Sequence, residues 1–549
     1  MQTASHSASD NAPVIIAGAG PAGMCIAIDL ALKNIPSILL ESNPAQTPPT
    51  ARTNLTNTRS MEHFRRWGMA DALRKNIPLG PEISRDIRFV TRANGHVIAN
   101  FPGGVEFADR APFASEVSLW GPQGAIEKTI RQRVASLPLI DIRFEASVTG
   151  FEQSADGVSV NYTDAQGAAH QVTGQYLVGA DGSRSMVRRE LGIKMTGTPK
   201  LVYGFSWLVR SPELKQIMAD SSGLAAMTWF INPDRSSGIL APQHSDGHFQ
   251  YFAAPVSEEL DGNDWPSVRA KLFADVGKEF AVEPVSGGEL WIHSLAAPRY
   301  QEGRVFLVGD AAHLVSPFGG FGMNISIGDS ADIAWKLAAV IQGWGGDKLL
   351  DSYCSERREI FGWIQELCEE STKHTGPAYV REGMEEDSSR GVAIREQLAQ
   401  EIMAAKAREF VSIGAQLGYA YRKSPVICAD GQEAAVSTFG NYVPSAAPGA
   451  RAPHIWLGAD SANQSLYDLF GTGFTLLKIN HDDSIEAFEQ AAARRNIPLK
   501  VISVNHPELA VLYENRLALI RPDQHIAWRG DTLPQDVDQL LAIVTGASA

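Results

Sequence analysis

Gly309-Asp310-Ala311-Ala312-His313-Leu314-Val315-Ser316-Pro317-Phe318-Gly319-Gly320-Phe321-Gly322-Met323-Asn324 is the stretch on which the reading of this chain turns. An apolar strand over 305–309 ends in a glycine, an acid follows, and a glycine-rich bend leads into a helix expected over 325–342. That arrangement lets backbone N–H groups and one carboxylate approach a flat polar ring with a sugar-alcohol tail. A flavin is the ligand that fits.

A second glycine-rich turn lies near the other end of the chain. Val14-Ile15-Ile16-Ala17 reads as a short buried strand and runs into Gly18-Ala19-Gly20-Pro21-Ala22-Gly23. The first glycine makes the tight turn, the second admits a pyrophosphate, and the third lets the following helix pack on the strand. The next apolar run, Ser37-Ile38-Leu39-Leu40, ends in Glu41, 18 residues beyond Gly23, where a carboxylate meets ribose hydroxyls. An acid there repels a 2′-phosphate, so the site suits FAD or NAD better than NADP.

Working outward, 549 residues exceed one compact core, and at roughly 150 residues per domain about three units are expected. Apolar residues make up 44% of the chain, enough for a sizeable interior. Lys and Arg number 48 against 62 Asp and Glu, a net charge of −14, which disfavours nucleic acid and anionic membranes as partners. Cys25, Cys354, Cys368 and Cys428 show no CxxC and no metal-ligand spacing, so inert thiols in a reducing compartment are expected and no metal. The first thirteen residues lack a basic start and an apolar core, and no apolar run approaches the ~20 residues of a membrane span. A cytoplasmic location follows as the expectation.

A helix is expected over 58–75, with Met61, Phe64, Trp67 and Leu73 at helical spacing and Arg65, Arg66, Arg74 and Lys75 on a solvated face. Arg52 and Arg59, before and at the start of that helix, are the candidates for phosphate contact. Another helix is expected over 123–135. A strand delivering Asp181-Gly182-Ser183 resembles a further loop at the nucleotide site, or a plain helix cap. Residues 200–295, rich in aromatic and β-branched residues near period two, suggest an antiparallel sheet; Tyr203 and Trp207 are its pocket candidates. Charged helices follow over 349–371 and 388–418. Residues 424–453 read as an extended Pro- and Gly-containing linker, and a small α/β unit closes the chain.

Taken together, GAGPAG at 18–23, the Asp181-Gly182 loop, and GDAAHLVSPFGGFGMN continued by DSADIAWKLA resemble the single-component FAD-dependent aromatic (phenol-type) hydroxylases over nearly the whole length. The final region, with LALIRPDQHIAWRG, resembles their thioredoxin-like C-terminal domain, here without a CxxC and so without dithiol chemistry. Its expected role is packing or subunit contact, as in a homodimer.

The resemblance implies an α/β (mixed α+β) fold. A Rossmann-like FAD-binding domain would be assembled from 1–86, 114–198 and 288–375. An inserted antiparallel-sheet substrate domain would take 87–113 and 199–287, a helical segment and linker 376–450, and a thioredoxin-like domain 451–549. It implies FAD bound by Gly18, Gly20, Pro21, Ala22, Gly23, Glu41, Asp181, Asp310, Gly320, Gly322, Met323 and Asn324, with Arg52 and Gln123 also in contact. NADH or NADPH would dock transiently, since no second GxGxxG follows a strand. Hydride transfer to FAD, reaction with O₂ and a C4a-hydroperoxide would hydroxylate a small phenolic or related aromatic substrate. Backbone around Pro317 would face the reacting oxygen or the substrate hydroxyl. His293 and His313 are weak candidates for a phenol-ionising base; a satisfied core histidine is the simpler reading of His313. The same fold hosts oxidases, reductases and halogenases, and a non-catalytic FAD-binding or sequestering protein is the alternative of another class.

Overall fold

In the computed structural model of the protein, residues 10–46, 52, 54–104, 111–234, 238–432, 435–457 and 464–547 are described. The first sheet has six strands in the order Gln301–Glu302, Val305–Leu307, Tyr176–Gly179, Val14–Ala17, Ser37–Leu40, Ile140–Arg143, parallel except for the two-residue edge strand. Its central strands are buried on both faces, which is why they read as unbroken apolar runs. Helices Pro21–Ala31 and Gly322–Ile341, whose residues are nearly all buried, pack together beside it. This is the doubly wound arrangement in which ligands bind beyond the carboxyl ends of the strands.

The second sheet has eight strands, among them the long pair Thr196–Arg210 and Glu283–Ala296. It runs past the expected 199–287 at both ends, because those two strands carry the chain from one sheet to the other. It also contains a parallel pair, Ser84–Val90 with Ala225–Phe230, within an otherwise antiparallel order. Its strand faces separate two apolar clusters: Phe205, Phe249 and Tyr251 face the helix Trp265–Val276, whereas Trp229, Ile239 and Phe252 belong to the other side.

Near the C-terminus, Phe474–Ile479 pairs parallel with Leu499–Val504, and the antiparallel strands Leu517–Ile520 and Ile526–Gly530 complete a four-stranded sheet. Helices Glu486–Arg494, Pro507–Tyr513 and Val537–Val544 accompany it; the middle one escapes the sequence reading.

Several expectations are corrected by this packing. The helix expected over 58–75 is two, Thr58–Arg66 and Ala70–Asn76, separated at Gly68, whose φ of 74° no helix accommodates. Its arginines are not a solvated face. Arg65 pairs with Asp468 and Glu116, and Arg66 donates to the Pro522 carbonyl. Arg59, taken as a phosphate candidate, is buried against Glu62, Gln524 and the Asp523 carbonyl. The helix Thr58–Arg66 is thus where the C-terminal domain docks. The described residues within 424–453 are likewise no free linker. Val426, Ala446 and Ala452 are buried, Arg451 bridges to His525 in β fashion, and the strap is clamped between domains.

Candidate active site

The two glycine turns converge. Gly18 has φ of 100°, and a Cβ there would stand 2.4 Å from the Ala180 carbonyl oxygen; a Cβ on Gly23 would stand 2.0 Å from that of Gly18. Both positions therefore need glycine for backbone contact within the protein. Gly20 differs, since a Cβ there meets nothing within 4 Å. The protein alone does not require glycine at this place, whereas a close-approaching pyrophosphate would. Gly20, Pro21 and Ala22 open the helix Pro21–Ala31 and line a cavity of about 990 Å³. Its first N–H groups offer the partial positive charge suited to phosphate.

At the end of Ser37–Leu40, Glu41 accepts hydrogen bonds from the N–H groups of Ala19 (2.7 Å) and Asn43 (2.8 Å), which fixes its carboxylate beside the first turn. It lies outside the cavity lining. Arg52 and Gln123 are on the lining, with Gln123 braced by donating to Glu127 at 2.6 Å. Asp181 is not on it. Its carboxylate accepts from Val187 N–H at 3.0 Å, its second oxygen is buried without a partner, and Ala180, Gly182 and Ser183 face the cavity instead.

Asp310 follows the strand Val305–Leu307 and projects onto the cavity with no hydrogen bond to any described residue. Its surface opens to the cavity although protein surrounds the group. Loss of bulk water raises its pKa against the opposing charges of His313 and Arg52. An acceptor open to the cavity and unmatched by protein donors is free to receive a ligand hydroxyl. Beyond it, Gly319 (φ 101°) and Gly320 (φ 69°) turn the loop, and Pro317, Gly320, Gly322 and Met323 form cavity wall. Asn324 does not. It donates to the carbonyls of Leu55 (2.9 Å) and Gly320 (2.6 Å) and accepts from Asn57 N–H (2.8 Å), so it ties the loop to the helix Thr58–Arg66.

His313 is buried, 2.7 Å from Asp329, which also accepts from Gly309 N–H and Arg357; it is a structural histidine. His293 faces the cavity and accepts from Lys200 N–H at 3.1 Å.

The pocket candidates Tyr203 and Trp207 are turned away from the cavity. Tyr203 donates to the Leu260 carbonyl, and Trp207 donates to the Gly262 carbonyl and packs on Trp265. Strand parity gives the reason, since Ser206 between Phe205 and Trp207, and Gln250 between Phe249 and Tyr251, are the residues that face the cavity. These polar interruptions in apolar strands were the available signal. They join a chain of amides: Gln243 donates to Asn54 (2.7 Å), Asn54 to Gln250 (2.8 Å) and Gln250 to Ser206 (3.0 Å). Beside them on the same face of the sheet stand Trp229 and Phe252, Phe252 being the cross-strand partner of Ser206, and Phe318 packs on both rings with centroids 5.8 and 6.0 Å away.

One cavity therefore joins a dinucleotide cradle to an aromatic and amide-lined chamber, the layout of a flavoprotein acting on a flat apolar molecule. The FAD binding domain model matches residues 11–365, and the model for the C-terminal domain of aromatic-ring hydroxylases matches 445–548. The FAD-dependent monooxygenase apdD of Emericella nidulans is 30% identical, with 97% of this chain and 90% of that protein covered. The rebeccamycin biosynthetic enzyme RebC with reduced flavin superposes with a TM-score of 0.88 at 33% identity, covering 99% of this chain and all of that one. Aklavinone-11 hydroxylase in ternary complex with FAD and aklavinone gives a TM-score of 0.79 at 25% identity, covering 97% and 99%. The chain belongs to the FAD-dependent aromatic-ring hydroxylase family, and it is a flavin monooxygenase with FAD as cofactor. Among the described residues no helix is long and apolar enough to cross a membrane.

Proposed function

We propose that the protein hydroxylates a flat, polycyclic aromatic bearing ring hydroxyl or carbonyl groups, with NADH or NADPH as reductant and O₂ as the oxygen source. The continuity of the cradle with a chamber that sets aromatic rings beside an amide chain carries this reading. An aromatic wall takes the faces of fused rings, and side-chain amides both donate and accept, as ring oxygens require. Structures of relatives support it, one holding aklavinone and another 7-carboxy-K252c.

Bound FAD supplies the oxygen activation and transfer. Gly20 and the start of the helix Pro21–Ala31 would receive the pyrophosphate, Glu41 the adenosine ribose and Asp310 the ribityl chain. Arg52 and Gln123 flank the same channel. Gly320, Gly322 and Met323 would border the ring, and backbone at Pro317 would face the substrate edge. The rings Trp229, Phe252 and Phe318 would help to exclude bulk water from the chamber.

The test is NADH and NADPH oxidation by FAD-loaded protein across a panel of phenols, naphthols and hydroxyanthraquinones, with O₂ uptake and product mass measured. Stimulated oxidation yielding a product with one added oxygen is expected. No stimulation by any aromatic would refute the assignment.

A further inference from the structure

The helix Ser389–Phe410 brings a buried ion pair to the chamber. Lys406 Nζ lies 2.6 Å from Glu409 Oε2, and the two side chains are 0% and 4% exposed. The ammonium is fixed from its other sides by rings, 4.3 Å from the centroid of Trp229 and 5.2 Å from that of Phe318, the residue after Pro317. Glu409 itself lines the cavity. Its second oxygen, Oε1, accepts no hydrogen bond from any described residue and is not sealed from the cavity. An oxygen open to the cavity and unmatched by protein is free to accept from a ligand, and a ligand hydroxyl entering the chamber needs such an acceptor in place of its lost water. Because Lys406 already neutralises the carboxylate, the pair suits a neutral O–H group better than a cation.

We propose that Glu409 is the substrate-orienting acceptor of the chamber: its Oε1 accepts a hydrogen bond from a ring hydroxyl of the aromatic ligand, with Lys406 holding the carboxylate in place. The assignment rests on the aromatic-hydroxylase reading above and names the contact that selects hydroxylated rings. A hydrogen bond to a charged acceptor also draws the hydroxyl proton outward and enriches the ring in electrons, which favours attack by an electrophilic oxygen.

The probes are 2-hydroxyanthraquinone and 2-methoxyanthraquinone, titrated into FAD-loaded protein with the flavin absorbance as readout. The parent is expected to prefer the hydroxyl compound by about tenfold or more, the range of a charged hydrogen bond. Glu409→Gln should shrink that preference to about twofold while flavin content stays at the parent level. The double variant Lys406→Met with Glu409→Gln provides the same comparison if the unpaired ammonium destabilises the single variant. Equal binding of both probes by the parent, or an undiminished preference in flavin-replete variants, overturns the role of Glu409 while leaving the hydroxylase reading intact. If neither anthraquinone nor any aromatic of the panel perturbs the flavin or stimulates NAD(P)H oxidation, both readings fall together.

Discussion

Glu62 is the residue whose loss should separate the C-terminal domain from the rest. Its carboxylate is buried, accepts from Arg59 and Arg451 at 2.9 Å each, and accepts Ser115 N–H at 3.1 Å. Burial alone would raise its pKa, but the two guanidinium groups hold it at about 2, against 4.5 for a free glutamate. At 1.36 kcal/mol per pH unit that difference corresponds to about 3 kcal/mol. A buried charge stripped of its partner costs a similar ~3–5 kcal/mol, and here two arginines would lose theirs. Because the folded pKa is depressed, this stability is fully present above pH 4.5 and is lost as pH falls towards 2.

Glu62→Gln keeps the volume and removes the charge. At about 2.1 cal/mol/K per residue over 549 residues, the FAD-saturated variant should melt about 3 °C lower at pH 7. Limited proteolysis should cut within 424–453, now held by a weaker clamp. Adding Arg451→Met, which removes the cation left unpaired, should restore part of the loss. A Glu62→Gln variant melting within about 1 °C of the parent would refute the assigned role of the pair.

Other perturbations follow from the site. Asp310→Ala removes the unpaired acceptor and should weaken FAD retention by about tenfold or more, read as flavin content and by titration of apoprotein; unchanged content contradicts its role. Gly20→Ala should leave apoprotein melting unaltered, because its Cβ meets nothing, yet reduce FAD affinity, whereas Gly23→Ala, 2.0 Å from the Gly18 oxygen, should damage folding itself. Equal effects on apoprotein stability would defeat that distinction. Trp207→Phe and Tyr203→Phe should leave KM for an aromatic substrate within about twofold, since both side chains face away from the chamber; a large rise in KM in either would show otherwise. Burial lowers the pKa of His454 to about 4, so the folded state resists its protonation. Stability should fall as pH drops from 6.5 to 4, by about 3 kcal/mol from this group, and His454→Gln should flatten that slope in melting curves.

What was legible in the sequence is what only glycine can do. Gly18 and Gly23 are required by contacts of 2.4 and 2.0 Å that leave no alternative residue, and such positions announce themselves. The chamber was hidden for the opposite reason. The long sheet buries both faces, so Phe205 and Trp207 on one side look no different in pattern from Trp229 and Phe252 on the other. The arginines of the helix Thr58–Arg66 misled because charged and apolar residues at helical spacing describe a solvated amphipathic helix as well as a docked one. Their partners Asp468 and Gln524 lie some 400 residues further along, beyond any local pattern. Glu409 and Lys406 sat within an expected charged helix for the same reason.

That docked helix also connects the two halves of the molecule. At its start, Asn57 N–H bonds Asn324 at 2.8 Å, holding the glycine-rich loop, and Thr58 N–H bonds Gln416 at 3.0 Å, a residue of the cavity wall. One turn on, Arg59 and Glu62 are gripped by Gln524 and Arg451 from the C-terminal side. A domain without a dithiol is thus tied by packing to the helix that holds the glycine-rich loop, which predicts that it acts on the site through that helix. The C-terminal domain should then be dispensable for no property of the flavin site. Glu62→Gln, placed far from the chemistry, should loosen FAD as well as lower the melting temperature, and a variant that melts early yet retains FAD as tightly as the parent would show the two halves to be independent.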